Sequence, residues 1–282
     1  MKVEYFDEWQ AVSYVQIIWF AVLAFANIVL LFTFYSSFLN KKQLWMFSGY
    51  FGVFTIAKIA GGVLGIIFLH KPEFDQGLYI AVYVCDSVSL GMLLKSSFPF
   101  IQRMLKKEAN PDQEMYNGEP IKGYGPFDVE TKPVKPTLIQ KYFLGPFQFL
   151  TLLVLVSVIL SIVGSSLMSS SNGSVTPLKV SSLLFLASTL VLGGIVIYVN
   201  FNNPNYVFPA RLLMCCAFLL VVRCLYSILS SFNHLSFTNP SKFSLMFGDY
   251  KYFTFLALLM ESLVGIALIL TYQWFLRKGR FN

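Results

Sequence analysis

The run PARLLMCCAFLLVVRCLYSILSSF, Pro209 to Phe232, and the run YFTFLALLMESLVGIALILTYQWF, Tyr252 to Phe275, decide the fold of this chain. At 1.5 Å per helical residue, each is long enough to cross a hydrocarbon core about 30 Å thick. Yet each carries a charge deep inside it, Arg223 in the first and Glu261 in the second. A charge near a bilayer centre costs about 2.5–3.5 kcal/mol even on lenient insertion scales. Opposite charges in neighbouring spans therefore point to a pair facing the protein interior.

Composition agrees. The 282 residues are 56% hydrophobic and only 12% charged, with a mean hydropathy of +0.65. A soluble domain carries about 25% charged residues, so the chain reads as an integral membrane protein. Five further apolar runs, at 11–35, 44–69, 78–101, 143–168 and 178–200, join those at 209–232 and 252–275. The expectation is an all-α, polytopic fold: a single seven-transmembrane-helix bundle spanning 1–282. Trp9, Trp45 and Trp274 fall near span ends, where indole rings favour the headgroup region.

Charge placement sets the expected topology. An acidic start (Glu4, Asp7, Glu8) followed by a long apolar run is the reverse of a cleavable signal peptide, and reads as an uncleaved anchor. With the N-terminus outside and the C-terminus cytoplasmic, thirteen Lys and Arg fall on the inner side and five on the outer; Lys58, Lys95 and Arg223 lie within spans. That is the positive-inside bias, and it accounts for the net charge of +7 without invoking nucleic acid. The sequon Asn172-Gly173-Ser174 falls on the outer side, making Asn172 a candidate glycosylation site in a plasma membrane or secretory-pathway endomembrane. The segment 102–142 carries seven basic residues, six acidic ones and five prolines. It reads as a flexible cytoplasmic loop and a candidate contact for a cytosolic partner.

Depth along the spans singles out a polar centre. Counted from the outer ends, Arg223 and Glu261 lie roughly 13–16 Å down, Asp86 roughly 13–17 Å and Lys58 roughly 17 Å. Four ionisable residues, two of each sign, thus share one layer and need partners of opposite charge. The expected pairs are Arg223 with Glu261 and Lys58 with Asp86, with exchange of partners open. Ser87, Ser89 and Ser227 are candidate hydrogen-bonding partners, as is Tyr226, one turn from Arg223. Lys95 is close enough to the inner end to snorkel. Gly61 and Gly65 form a small-xxx-small face, and Gly193-Gly194 offers a place for the fifth span to loosen.

Several functions fit poorly. Two His (His70 and His234) and four Cys (Cys85, Cys215, Cys216, Cys224) without ligand spacing give no metal site, no cofactor and no redox centre; the cysteines read as packing. No nucleophile elbow, Walker loop or zincin motif occurs. Asp86 and Glu261 do not suit an acid dyad, because two cations at their depth would keep both ionised. The chain is expected not to be an enzyme. Rhodopsin-like receptors are also disfavoured. The third span closes on Phe100-Ile101-Gln102-Arg103 without Asp-Arg-Tyr, and the seventh has neither Asn-Pro-x-x-Tyr nor a Schiff-base lysine.

The stretches Lys58-Ile59-Ala60-Gly61-Gly62, Val222-Arg223-Cys224-Leu225-Tyr226 and Leu259-Met260-Glu261 together resemble a fungal family of seven-span membrane proteins of unknown function. Its pattern is a basic residue before paired glycines, an Arg-x-x-Tyr and a late Met-Glu. The layout is also similar to the fungal lipid-translocating exporter and toxic-compound-resistance family, although most of that family's acidic and aromatic pattern in the last spans is missing here. By analogy, this implies a lipid or amphiphile transporter or resistance factor, with Lys58, Asp86, Arg223, Tyr226 and Glu261 as its binding centre and a lipid or amphiphilic small molecule as its partner beside the bilayer. The alternatives are a seven-span receptor or sensor coupling through 102–142 and the C-terminal tail, and a structural accessory subunit.

Overall fold

A computed structural model describes residues 6–34, 41–71, 73, 75–109, 138–167, 176–202, 206–233 and 242–278. Among them every regular element is helical. The helices are α1 (Phe6–Phe34), α2 (Lys41–His70), α3 (Gln76–Ala109), α4 (Leu138–Leu167), α5 (Thr176–Asn202) and α6 (Val207–Phe232). The last, α7, is continuous from 250 to 278: it starts as Tyr250–Phe253, makes one π-helical turn over Thr254–Leu258 and continues as Leu259–Lys278. Among the described residues seven helices are long and apolar enough to cross a membrane, as the apolar runs predict. A helix satisfies its own backbone polar groups, which hydrocarbon cannot do. Many hydroxyls in the spans follow the same rule by bonding back one turn, as Ser13 does to the Trp9 carbonyl, Thr189 to Phe185 and Thr271 to Ala267.

Consecutive helices pack side by side, and α7 closes the circuit against both α6 and α1. Inside that circuit α3 also touches α5 and α7, which carries Asp86 to the middle of the bundle. Small residues set the closest approaches. A Cβ on Gly62 would lie 2.7 Å from Ile17 Cγ1 and 3.2 Å from the Ser13 carbonyl of α1, and one on Gly164 would lie 2.7 Å from the Leu178 amide of α5. The tight α1–α2 approach is thus at Gly62, beside the expected face. Gly61 lies against both Cys85 of α3 and Gln16 of α1, and Gly65 makes room for Met246 while also adjoining Ser13 of α1. The Gly193-Gly194 pair leaves α5 unbroken.

Three other expectations change. The helix α3 runs on to Ala109 and α4 begins at Leu138, so both ends of the 102–142 segment are helical. Strong helix formers in Gln102-Arg103-Met104-Leu105-Lys106-Lys107-Glu108-Ala109 explain the extension. Residues 110–137 and Asn172 lie outside the described residues. Trp9, in the first turn of α1, turns its ring into the bundle, 1% exposed, instead of outward; its Nε1 donates to the Gly248 carbonyl at 3.1 Å. Cys216 and Cys224 are packed in the core, whereas Cys215 is exposed on the outer face of α6.

The end of the bundle where α6 passes to α7 is capped by 242–249. Leu245, Met246 and Phe247 are buried there, and Phe247 meets the rings of Phe68 and Tyr79 at 5.7 and 5.5 Å. Bonds from Gly248 N to the Ser244 carbonyl (2.8 Å) and from Asp249 N to the Lys242 carbonyl (3.0 Å) fold the segment tightly. A Cβ on Gly248 would lie 2.6 Å from the Ser244 carbonyl oxygen, so glycine is required there. Met246 takes the left-handed backbone conformation, φ 66°, a sparsely populated region for a side-chain-bearing residue.

Candidate functional site: a ring of four charges

Each of four helices contributes one charged side chain to a single cluster beneath this cap. Lys58 of α2 and Arg223 of α6 alternate with Asp86 of α3 and Glu261 of α7. Lys58 Nζ lies 2.6 Å from Asp86 Oδ1 and 2.5 Å from Glu261 Oε2. Arg223 Nη2 lies 2.5 Å from Asp86 Oδ2, and its Nε lies 2.6 Å from Glu261 Oε1. Both expected pairs therefore form, and so do both exchanged ones. The result is a closed ring of four ion pairs with no net charge, which answers the cost of placing ions in hydrocarbon.

The ring's geometry follows from residue type. A carboxylate has two oxygens, so each acid can face two cations at once, and the guanidinium fork suits such shared contact. The Lys58–Glu261 contact misses hydrogen-bond geometry, leaving Glu261 Oε2 as the ring's one acceptor without a hydrogen bond. Of the serines considered, Ser227 alone serves a charge, accepting from Arg223 Nη1 at 2.5 Å. Ser87 and Ser89 donate to the carbonyls of Tyr83 and Asp86. Tyr226 contributes differently from expectation. Its hydroxyl donates to the Phe243 carbonyl at 3.2 Å, and it offers Arg223 its ring face, 5.5 Å from the guanidinium carbon. Lys95 belongs to α3 nearer the opposite end, roughly 13 Å along the helix from Asp86.

Further residues support the site. Gln16 of α1 donates to the Lys58 carbonyl at 2.7 Å; an amide in an apolar span, one of two in the 11–35 run with Asn27, is the signal that would have found it. Phe253 stands above the ring, 5.4 Å from the ring of Trp9 and 6.1 Å from that of Tyr226. An α-helix would put Phe253 about 80° away from the Glu261 face, and the one extra residue of the π turn brings it back to within about 20°.

The four charges are unequally enclosed. Glu261 is 0% exposed, Lys58 and Arg223 are 1%, and Asp86 is 19%. Two small cavities explain the difference. One lies between α3, α4, α5 and α6 beside Asp86 and is walled largely by serines. The other lies under the cap, with Gln16, Met246 and Phe253 in its walls and both Lys58 and Asp86 at its floor. Asp86 is where the two meet.

A family model described as a domain of unknown function, DUF7702, matches residues 6–122 and 136–278. No curated protein and no solved structure matches the chain.

Proposed function

The chain belongs to the DUF7702 family, and on that footing we propose that it is a non-enzymatic lipid or amphiphile transporter or resistance factor whose ring is the polar binding centre. One observation carries the reading: the ring is not sealed at Asp86, which is 19% exposed. A ring that only fixed helix register would be best sealed on all sides, whereas Asp86 borders two cavities. An interior charge cluster with access marks a ligand path in membrane proteins. The layout shared with the lipid-translocating exporter family supports the same reading. The charge bias supports an outside N-terminus, in the plasma membrane or a secretory-pathway endomembrane, with the cap on the outer face.

The test is growth under toxic amphiphiles. The paired change Lys58→Met/Asp86→Leu removes the accessible carboxylate yet keeps the ring neutral through Arg223 and Glu261. Cells carrying it at normal membrane abundance are expected to match a full deletion in amphiphile sensitivity. Unaltered sensitivity in both strains would refute the reading. A receptor or sensor draws support from the basic helical extension 102–109, and cross-linking of 102–142 to a signalling protein would favour it instead.

A further inference from the structure

The serine-walled cavity has a chemical polarity. Ser87 donates to the Tyr83 carbonyl, Ser161 to Ser87 Oγ, Ser181 to the Ser157 carbonyl, Ser182 to Lys179 and Ser231 to Ser227, at 2.6–3.0 Å. A hydroxyl has one proton and two lone pairs. With their protons engaged, these groups present lone pairs to the space they line. Of the two charged residues that line it, Asp86 is 19% exposed and Arg223 1%, and the carboxylate is held from behind by Lys58 at Oδ1 and from the side by Arg223 at Oδ2. The wall is therefore rich in acceptors, with a carboxylate as its most exposed charge. A guest must bring hydrogen-bond donors and positive charge. The remaining wall includes Leu90, Leu178 and Phe185, which suits carbon attached to such a head.

Size narrows the class. The cavity holds about 20 Å³, room for one water-sized group and far too little for a drug-sized ligand. A primary ammonium is water-sized and carries three donors and no acceptor, whereas a trimethylammonium is several times larger and has no N–H. We infer that this cavity is a headgroup site for a primary ammonium amphiphile, with Asp86 as counterion and the serine oxygens as acceptors. The inference rests on reading the ring as a binding centre and names the chemistry of its guest.

Titration of the purified full chain in phosphatidylcholine nanodiscs, corrected with empty discs, tests it directly. Octylammonium is expected to bind at least tenfold more tightly than octyltrimethylammonium, octanol or octanoate. Ser182→Val, which removes one acceptor and leaves all four charges, is expected to weaken octylammonium at least tenfold without lowering the unliganded unfolding midpoint. Asp86→Asn should abolish binding, and Ser182→Val carries the test if that variant does not fold. Equal affinities for all four probes, no octylammonium binding, or saturation by sodium chloride at the same site would each overturn the assignment. Competition from phosphatidylethanolamine discs would place the ammonium on a lipid, and its absence would place it on a free amine; either keeps the site. Failure of binding with amphiphile sensitivity intact would remove the headgroup assignment and leave the transport reading standing.

Discussion

Met246 fills the space that Gly65 leaves open on α2: a Cβ on Gly65 would run into the Met246 methyl. Because the obstacle is the free end of a flexible thioether, Gly65→Ala should be tolerated, and the helix gains from losing a glycine. At Gly164 the obstacle is the backbone of Leu178, which cannot swing aside. Gly164→Ala should cost about 1–3 kcal/mol as overpacking, and Gly65→Ala less than about 1 kcal/mol. Thermal unfolding in detergent compares the two; equal losses would contradict the account.

Breaking the ring on one side should be worse than removing a matched pair. Glu261→Gln leaves two cations facing one carboxylate, and the expected loss is about 3–5 kcal/mol, the usual cost of a stranded buried charge. Arg223→Met/Glu261→Met leaves Lys58 and Asp86 as a neutral pair and should recover at least half of it. A double-mutant cycle on the unfolding midpoint reads the coupling. Simple additivity would mean that the four charges act independently.

The cap is tied down through Trp9. Trp9→Phe keeps the aromatic packing on Phe253 and removes the bond to the Gly248 carbonyl. Loss of about 1 kcal/mol is expected, with faster amide exchange confined to 242–249. Mass-spectrometric exchange that also quickens α4 and α5 would show that the tie is not local.

Asp75 marks the start of α3. The Lys71 ammonium, then the Leu78 backbone N–H, hold its carboxyl below the usual aspartate range. A depressed folded-state pKa gives stability that is present above the unfolded value and lost as pH falls through the folded one. The gap in unfolding midpoint between wild type and Asp75→Asn should therefore hold at neutral pH and shrink below about pH 4. A gap independent of pH across that range would rule out the ion pair and cap as its source.

How far the sequence carried these conclusions depended on what each residue costs in lipid. Lys58, Asp86, Arg223 and Glu261 were legible because an ion in an apolar run demands partners, and counting from span ends put them at one depth. Closure into a ring was not legible, since depth says nothing about which helices adjoin. The cap at 242–249 was hidden for another reason: a short Phe-Ser-Leu-Met-Phe-Gly stretch between spans reads as an ordinary connection until its burial is seen. Tyr226 was found by spacing, but spacing does not tell a hydroxyl contact from a ring-face contact. The extension of α3 was obscured by the basic and proline-rich composition of the segment that follows it.

The π turn at 254–258 makes α7 a shaft with two separately clocked halves. Its upper half meets Trp9 and Tyr226 through Phe253, and its lower half delivers Glu261, and both contacts coexist because the π turn takes up the one residue too many between them. Winding 254–258 as α-helix at its present length would regularise the helix yet turn Phe253 about 100° away from its neighbours, whereas deleting one of those residues would let the helix regularise with Phe253 still in place. Local regularity and correct assembly are here in opposition, and α7 is built in favour of assembly.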